Sequence, residues 1–165
     1  MYEQEIKLNQ FMMDSFDKVV ADIPADRMNE RPAGNGHPPL WVLGHLAICA
    51  ELGHLMLGTP IKTTEWMPVF GPGSSDNIEN PETYDAADLI TKVKEGYAGF
   101  CEAAASADAE ALAAPNEVDL LEGSVLVTRG DLVSHLLTTH FSFHVAQLSA
   151  WRRAAGHKHL SLIHI

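Results

Sequence analysis

The chain reads as an all-α protein, a four-helix bundle, on three observations. Four segments carry apolar residues at helical spacing. Proline and glycine punctuate the stretches between them. The one segment with any alternation, Asn116 to Val127, is short and reads better as a connecting loop than as a strand. At 165 residues the chain suits one domain with a real core, assigned to residues 1–159.

Tyr2 to Ile23 predicts the first helix. Ile6, Leu8, Phe11, Met12, Phe16, Val19 and Val20 recur roughly a turn apart, and Pro24 ends it. Ala25 to Pro39 is a Pro-, Gly- and Asn-rich loop with Asn35-Gly36 as a turn signal. Pro38 and Pro39 suit a first helical turn, where the missing N–H is no loss. The second helix then runs from Leu40 to Leu57 and stops at Gly58, with Pro60 just beyond. Thr59 to Thr83 is a long irregular stretch of the kind that often covers a site, and Glu65, Trp66 and Phe70 suggest one wall.

Asn80 and Pro81 read as the N-cap and first residue of a third helix, with Leu89, Ile90, Val93, Tyr97, Phe100 and Cys101 as its apolar side. Ala103 to Ala114 either extends it or forms a short helix of its own. Thr128 and Asp131 have the spacing of a capping box. They open one long helix that ends at Gly156. Leu132, Leu136, Phe143, Val145, Leu148 and Trp151 should face the core. The last six residues, LSLIHI, resemble the translated end of a transposon adapter used in DNA library preparation. Residues 160–165 are therefore read as a non-native tail, and His164 is set aside.

Net charge is −11, from 11 basic and 22 acidic side chains. Nucleic acid and anionic membranes both demand a basic surface, so neither fits as the main partner. Cys49 and Cys101 form no CxxC pair and no disulfide framework, which makes a reducing cytoplasm the default location. The acidic N-terminus is not a signal peptide. The longest apolar run, Leu40 to Ala50, is too short to span a bilayer.

Nine histidines are a heavy load for this length, and neutral imidazole is the commonest metal ligand. His140 and His144 sit four residues apart, so a helix puts both on one face. That spacing lets two side chains share an ion. His45, on the apolar side of the second helix with Trp41 and Cys49, is the best third ligand. Three neutral imidazoles plus water make an open site, the arrangement of catalytic zinc. The competing reading is that these histidines simply hydrogen-bond to neighbours in the core.

Cys49 could be a fourth ligand that closes the site, although a small thiol in a helix is more simply core packing. Glu51 lies about 120° round from His45 and His54 about 180°, so Glu51 should face solvent or cap a neighbour and His54 serves no common site. Gln147 is a further polar neighbour on the last helix. His135, five residues before His140, should face elsewhere. His37, His157 and His159 read as solvated. Phe141, Phe143 and Trp151 read as core and bundle interface.

The pair WVLGHLAICAELGHL and LVSHLLTTHFSFHVAQLSAWRRAAG resembles the DinB-like (DinB/YfiT) family of metal-dependent four-helix-bundle proteins. The matching positions are Trp41, His45-Leu46, His140, His144 and Gln147-Leu148. Ala146 stands where the family often has glycine. The resemblance implies up-down-down-up connectivity and a divalent metal, zinc or nickel most often, held by His45, His140 and His144. Family members include S-transferases that use a low-molecular-weight thiol such as mycothiol or bacillithiol, as well as isomerases. Dimers are common among them, with exposed parts of the first or last helix as the interface. The expectation is a metal-dependent enzyme, a thiol S-transferase or small-molecule hydrolase, with a small-molecule substrate, no nucleic acid and no membrane. The alternatives are a non-catalytic metal-binding stress or accessory protein and a plain bundle with structural histidines. No catalytic residue beyond the ligands is assigned.

Overall fold

The structure is a computed structural model that describes residues 1–160. Residues 161–165, most of the tail assigned as non-native, lie outside the described residues. The described residues are helical with no sheet; one isolated bridge joins Pro115 and Thr128.

Helix α1 spans Glu3–Val20. Its first turn carries Glu3 and Glu5, which complement the positive end of the helix dipole. Helix α2 spans Pro39–Met56, with proline at its first position. It is apolar on nearly every side because it is the central element. It packs most extensively on α4 (Ala86–Ala105) and also meets the short helix in the connection that follows it and the C-terminal helical segments. Gly44 and Gly53 allow this closeness: a Cβ at Gly44 would overlap the Phe70 ring, and one at Gly53 the Phe100 ring. By length and composition α2 would pass as a membrane span, but 72% of it is buried inside the fold, which is how a core helix behaves.

The long connection after α2 holds a short helix, α3 (Met67–Phe70), whose Phe70 is fully buried. The third long helix begins later than Asn80 and Pro81 suggest. Pro81–Thr83 forms only a 3₁₀ turn, and Asn80 has a left-handed backbone with no side-chain cap. Asp85 is the true N-cap, accepting from the backbone N–H groups of Ala87 and Asp88. The Ala-rich stretch breaks at Ser106 and resumes as α5 (Ala109–Leu112).

The C-terminal helix opens with the expected capping box of Thr128 and Asp131. It is not one uniform helix. Helix α6 (Arg129–His135) passes through a π turn, Leu136–His140, into α7 (Phe141–Ala154). Thr138 Oγ donates to the Ser134 carbonyl at 2.6 Å, a back-bond that loosens a helix. Buried Asn9 of α1 donates to the Leu137 carbonyl at 2.8 Å and ties the turn to the bundle. The wider turn shifts the faces on either side of it. Phe141 is fully buried, with its ring 4.5 Å from that of Tyr97, whereas Phe143, expected in the core, is 63% exposed.

Candidate metal centre

His45 sits in the middle of α2 and is buried. Its Nδ1–H donates to the Phe70 carbonyl at 2.7 Å, which leaves the lone pair on Nε2. Trp41, one turn earlier, stacks on the imidazole at 4.6 Å with the planes 10° apart. The indole N–H of Trp41 donates to Ser74 Oγ at 3.1 Å, and Ser74 Oγ donates to the Val69 carbonyl at 2.9 Å. The connection around α3 thus fixes both aromatic rings. Burial pushes the His45 pKa down, with the Phe70 carbonyl opposing the shift.

His140 closes the π turn and points its Nε2 at that of His45, 3.2 Å away. Its Nδ1 is buried and, among the described residues, has no hydrogen-bond partner. Burial first, then the neighbouring imidazoles of His144, His45 and His135, push its pKa down to about 2. His144 follows one turn later and is buried. Its Nδ1–H donates to Gln147 Oε1 at 2.7 Å, so its lone pair too is on Nε2. Burial, then His45, pushes its pKa down to about 4. Its ring centroid lies 4.8 Å from that of His45 and 4.6 Å from that of His140.

Cys49 points into the same space. Its Sγ is 3.5 Å from His45 Nε2 and 3.8 Å from His140 Nε2, and burial raises its thiol pKa strongly. His45, Cys49 and His140 form a group that could hold a metal ion, their ligand atoms all within 4.8 Å of one another. The donor set fits a tetrahedral divalent ion. Bonds of ordinary zinc length would separate two imidazole nitrogens by roughly 3.3 Å and a nitrogen from a thiolate sulfur by roughly 3.6 Å. The outward hydrogen bonds of His45 and His144 are those that orient metal-binding imidazoles.

Sequence reasoning placed His45, His140 and His144 together; their ring centroids lie 4.6 to 5.2 Å apart, but the group of converging ligand atoms among the described residues holds Cys49 in place of His144. It gave Cys49 mainly to packing, but the thiol is buried and also faces the imidazoles. It turned His135 away, whereas the π turn sets the His135 ring 5.5 Å from that of His140. A five-residue spacing faces apart on an α-helix but nearly aligns across a π turn. The signal in the sequence was the run Ser134 to Thr139, where Thr138 and Thr139 can each back-bond four residues earlier.

His37 is not simply solvated either. It stacks on Trp41 at 4.3 Å, and its Nδ1 lies 2.7 Å from an oxygen of Asp76, which also pairs with Arg31. His157 lies 3.4 Å from Asp22, the partner of buried Arg152, while His159 is exposed. Of the suggested wall residues, Phe70 touches the centre through its carbonyl, whereas Glu65 and Trp66 line a cleft toward α4. His54 bonds to the Gly96 carbonyl, away from the centre. Glu51 caps the loop through Lys62 and Thr63, as one of its two readings had it.

No curated protein and no solved structure matches the chain. The family model of the DinB superfamily matches residues 10–148, a span that holds Trp41, His45, Cys49, His140, His144 and Gln147. The chain belongs to the DinB superfamily.

Proposed function

We propose that this chain is a metal-dependent enzyme acting on small molecules, with one divalent ion, zinc or nickel, held by His45, His140 and His144. The observation that carries this reading is the pair of Nε2 atoms of His45 and His140, 3.2 Å apart in a buried setting. When bound, such an ion acts as a Lewis acid that brings the pKa of a thiol or water toward neutrality. The Phe70 carbonyl and the Gln147 amide aim the His45 and His144 lone pairs inward. Trp41 covers the His45 ring and keeps water from that side. His140 is half-buried, and exposed Phe143 lies beside His144.

The reaction that suits this arrangement is transfer of a low-molecular-weight thiol to an electrophile, or hydrolysis of a small substrate. Burial of His45, His144 and Cys49 favours a second reading, a metal-binding stress or accessory protein without turnover. A homodimer belongs to the proposal, with the half-exposed Leu8 and Phe11 of α1 as its apolar contact.

Metal content by mass spectrometry on tag-free protein tests the proposal. The comparison is wild type against His45→Ala, His140→Ala and His144→Ala. Close to one ion per chain, lost in each variant, is the expected result, followed by turnover in a screen of thiols against electrophiles. Metal without turnover leaves the accessory protein. No metal after reconstitution with zinc or nickel removes both readings.

A further inference from the structure

The thiol of Cys49 has a specific place in this centre. It lies one helical turn after His45 on the same face of α2, so both side chains reach the same point. It is essentially inaccessible, and its polar neighbours are the Nε2 atoms of His45 and His140, at 3.5 and 3.8 Å. The two separations straddle the roughly 3.6 Å expected between sulfur and nitrogen on one tetrahedral ion. The other thiol, Cys101, instead lies 3.5 Å from Asn9 Oδ1.

We infer that Cys49 is itself a metal ligand, so that the centre is a mixed imidazole and thiolate site. The inference rests on the metal-binding reading above and deepens it. On binding, the S–H bond breaks, a sulfur–metal bond forms, and the proton leaves to solvent. Three consequences follow from the donor chemistry. A thiolate selects zinc or another soft-tolerant ion over magnesium or manganese. With three imidazoles it completes a tetrahedral shell, so a substrate must enter by expansion to five ligands or by displacing a donor. The position that an external thiol would take is the one that Cys49 occupies.

Cobalt(II) loading tests this, because a cobalt–thiolate bond gives an intense near-ultraviolet charge-transfer band and cobalt–imidazole bonds do not. Cobalt binding is followed by equilibrium dialysis beside the spectrum, in wild type, Cys49→Ala and Cys101→Ala. Circular dichroism reports whether each variant is folded. The expected result is one cobalt per chain with the band in wild type and in Cys101→Ala. Folded Cys49→Ala should lose the band and bind cobalt at least about 10-fold more weakly, the minimum seen even for removal of an outer-shell partner. If Cys49→Ala does not fold, the wild-type band compared before and after acid-denaturing release of cobalt still decides the question. Bound cobalt with no band in wild type overturns the ligation of Cys49 and leaves the three-histidine reading standing. No bound cobalt in folded wild type overturns the metal reading itself.

Discussion

The Nε2 atoms of His45 and His140 face each other at 3.2 Å, although the hydrogen bond from His45 Nδ1 to Phe70 leaves a lone pair on the His45 side. Either His140 presents its proton there, or two lone pairs face each other and a cation lies between the two nitrogens; His140 Nδ1 lacks a partner in both cases. A cation resolves the conflict, so its binding should raise stability. At a hundredfold excess over Kd the gain is about 2.7 kcal/mol, or roughly 5–10 °C in Tm for a chain of this size. Thermal melts with zinc and with chelator should differ by that much in wild type and not at all in His140→Ala.

Gln147 acts through His144. Its Oε1 accepts from Nδ1 at 2.7 Å and sets which nitrogen faces the centre. Gln147→Leu should weaken metal binding by roughly 10- to 100-fold with the fold intact. Gln147→Glu keeps an acceptor and should retain most of the affinity. Competition with a chromogenic chelator measures both.

Acid should destabilise the metal-free protein earlier than its carboxylates alone would cause. His45, His140 and His144 are held neutral by burial, with His144 pushed down to about 4 and His140 to about 2. Unfolded histidines take up protons near 6.5, so the unfolded state binds more protons below that pH. The stability tied to these neutral imidazoles is present above about pH 6.5 and is lost as pH falls toward 4. Urea midpoints for the chelated protein should drop between pH 7 and pH 5. The drop should be smaller in His144→Leu. Equal drops would sink the account.

Gly44 lies directly under the Phe70 ring. A methyl group there forces the ring away at a cost of about 1–3 kcal/mol. Because the Phe70 carbonyl holds His45, Gly44→Ala should also weaken metal binding, which a purely structural site on α2 would not do. Denaturant melts and metal titration on the same variant separate the two effects.

Two nearby phenylalanines should behave oppositely. Phe141 is fully buried against Phe16 and Tyr97, so Phe141→Ala should cost about 3–5 kcal/mol. Phe143 is largely exposed, and Phe143→Ser should stay within about 0.5 kcal/mol. Chemical denaturation of both variants checks the assignment of faces.

The helices and most of the centre were legible because they depend on local signals. Apolar spacing, the Pro39 start, the Thr128 and Asp131 capping box and the Gly156 stop were all readable in order. The approach of His45 to His140 follows once α2 and α7 are packed together. What escaped depends on contacts that no local pattern carries. Asn80 looks like a cap, but Asp85 forms the cap, because the chain between them is taken up by a 3₁₀ turn. His37 looks like a loop histidine until Trp41 and Asp76 close around it. The misplacement of Phe143 and His135 has one source, the extra width of the Leu136–His140 turn.

That turn has the dimensions of a one-residue insertion, which offsets the helix before it by about 100° from an unbroken α-helix. A shorter variant, with either Thr138 or Thr139 deleted, would leave His140 and His144 one turn apart as before. It would bring His135 to four residues before His140, on one face of a plain α-helix, and would keep the capped end of α6, where the Gly130 carbonyl accepts from the Tyr2 hydroxyl, in register with α1. The wider turn therefore takes up one extra residue without taking the imidazoles on either side of it off their common face.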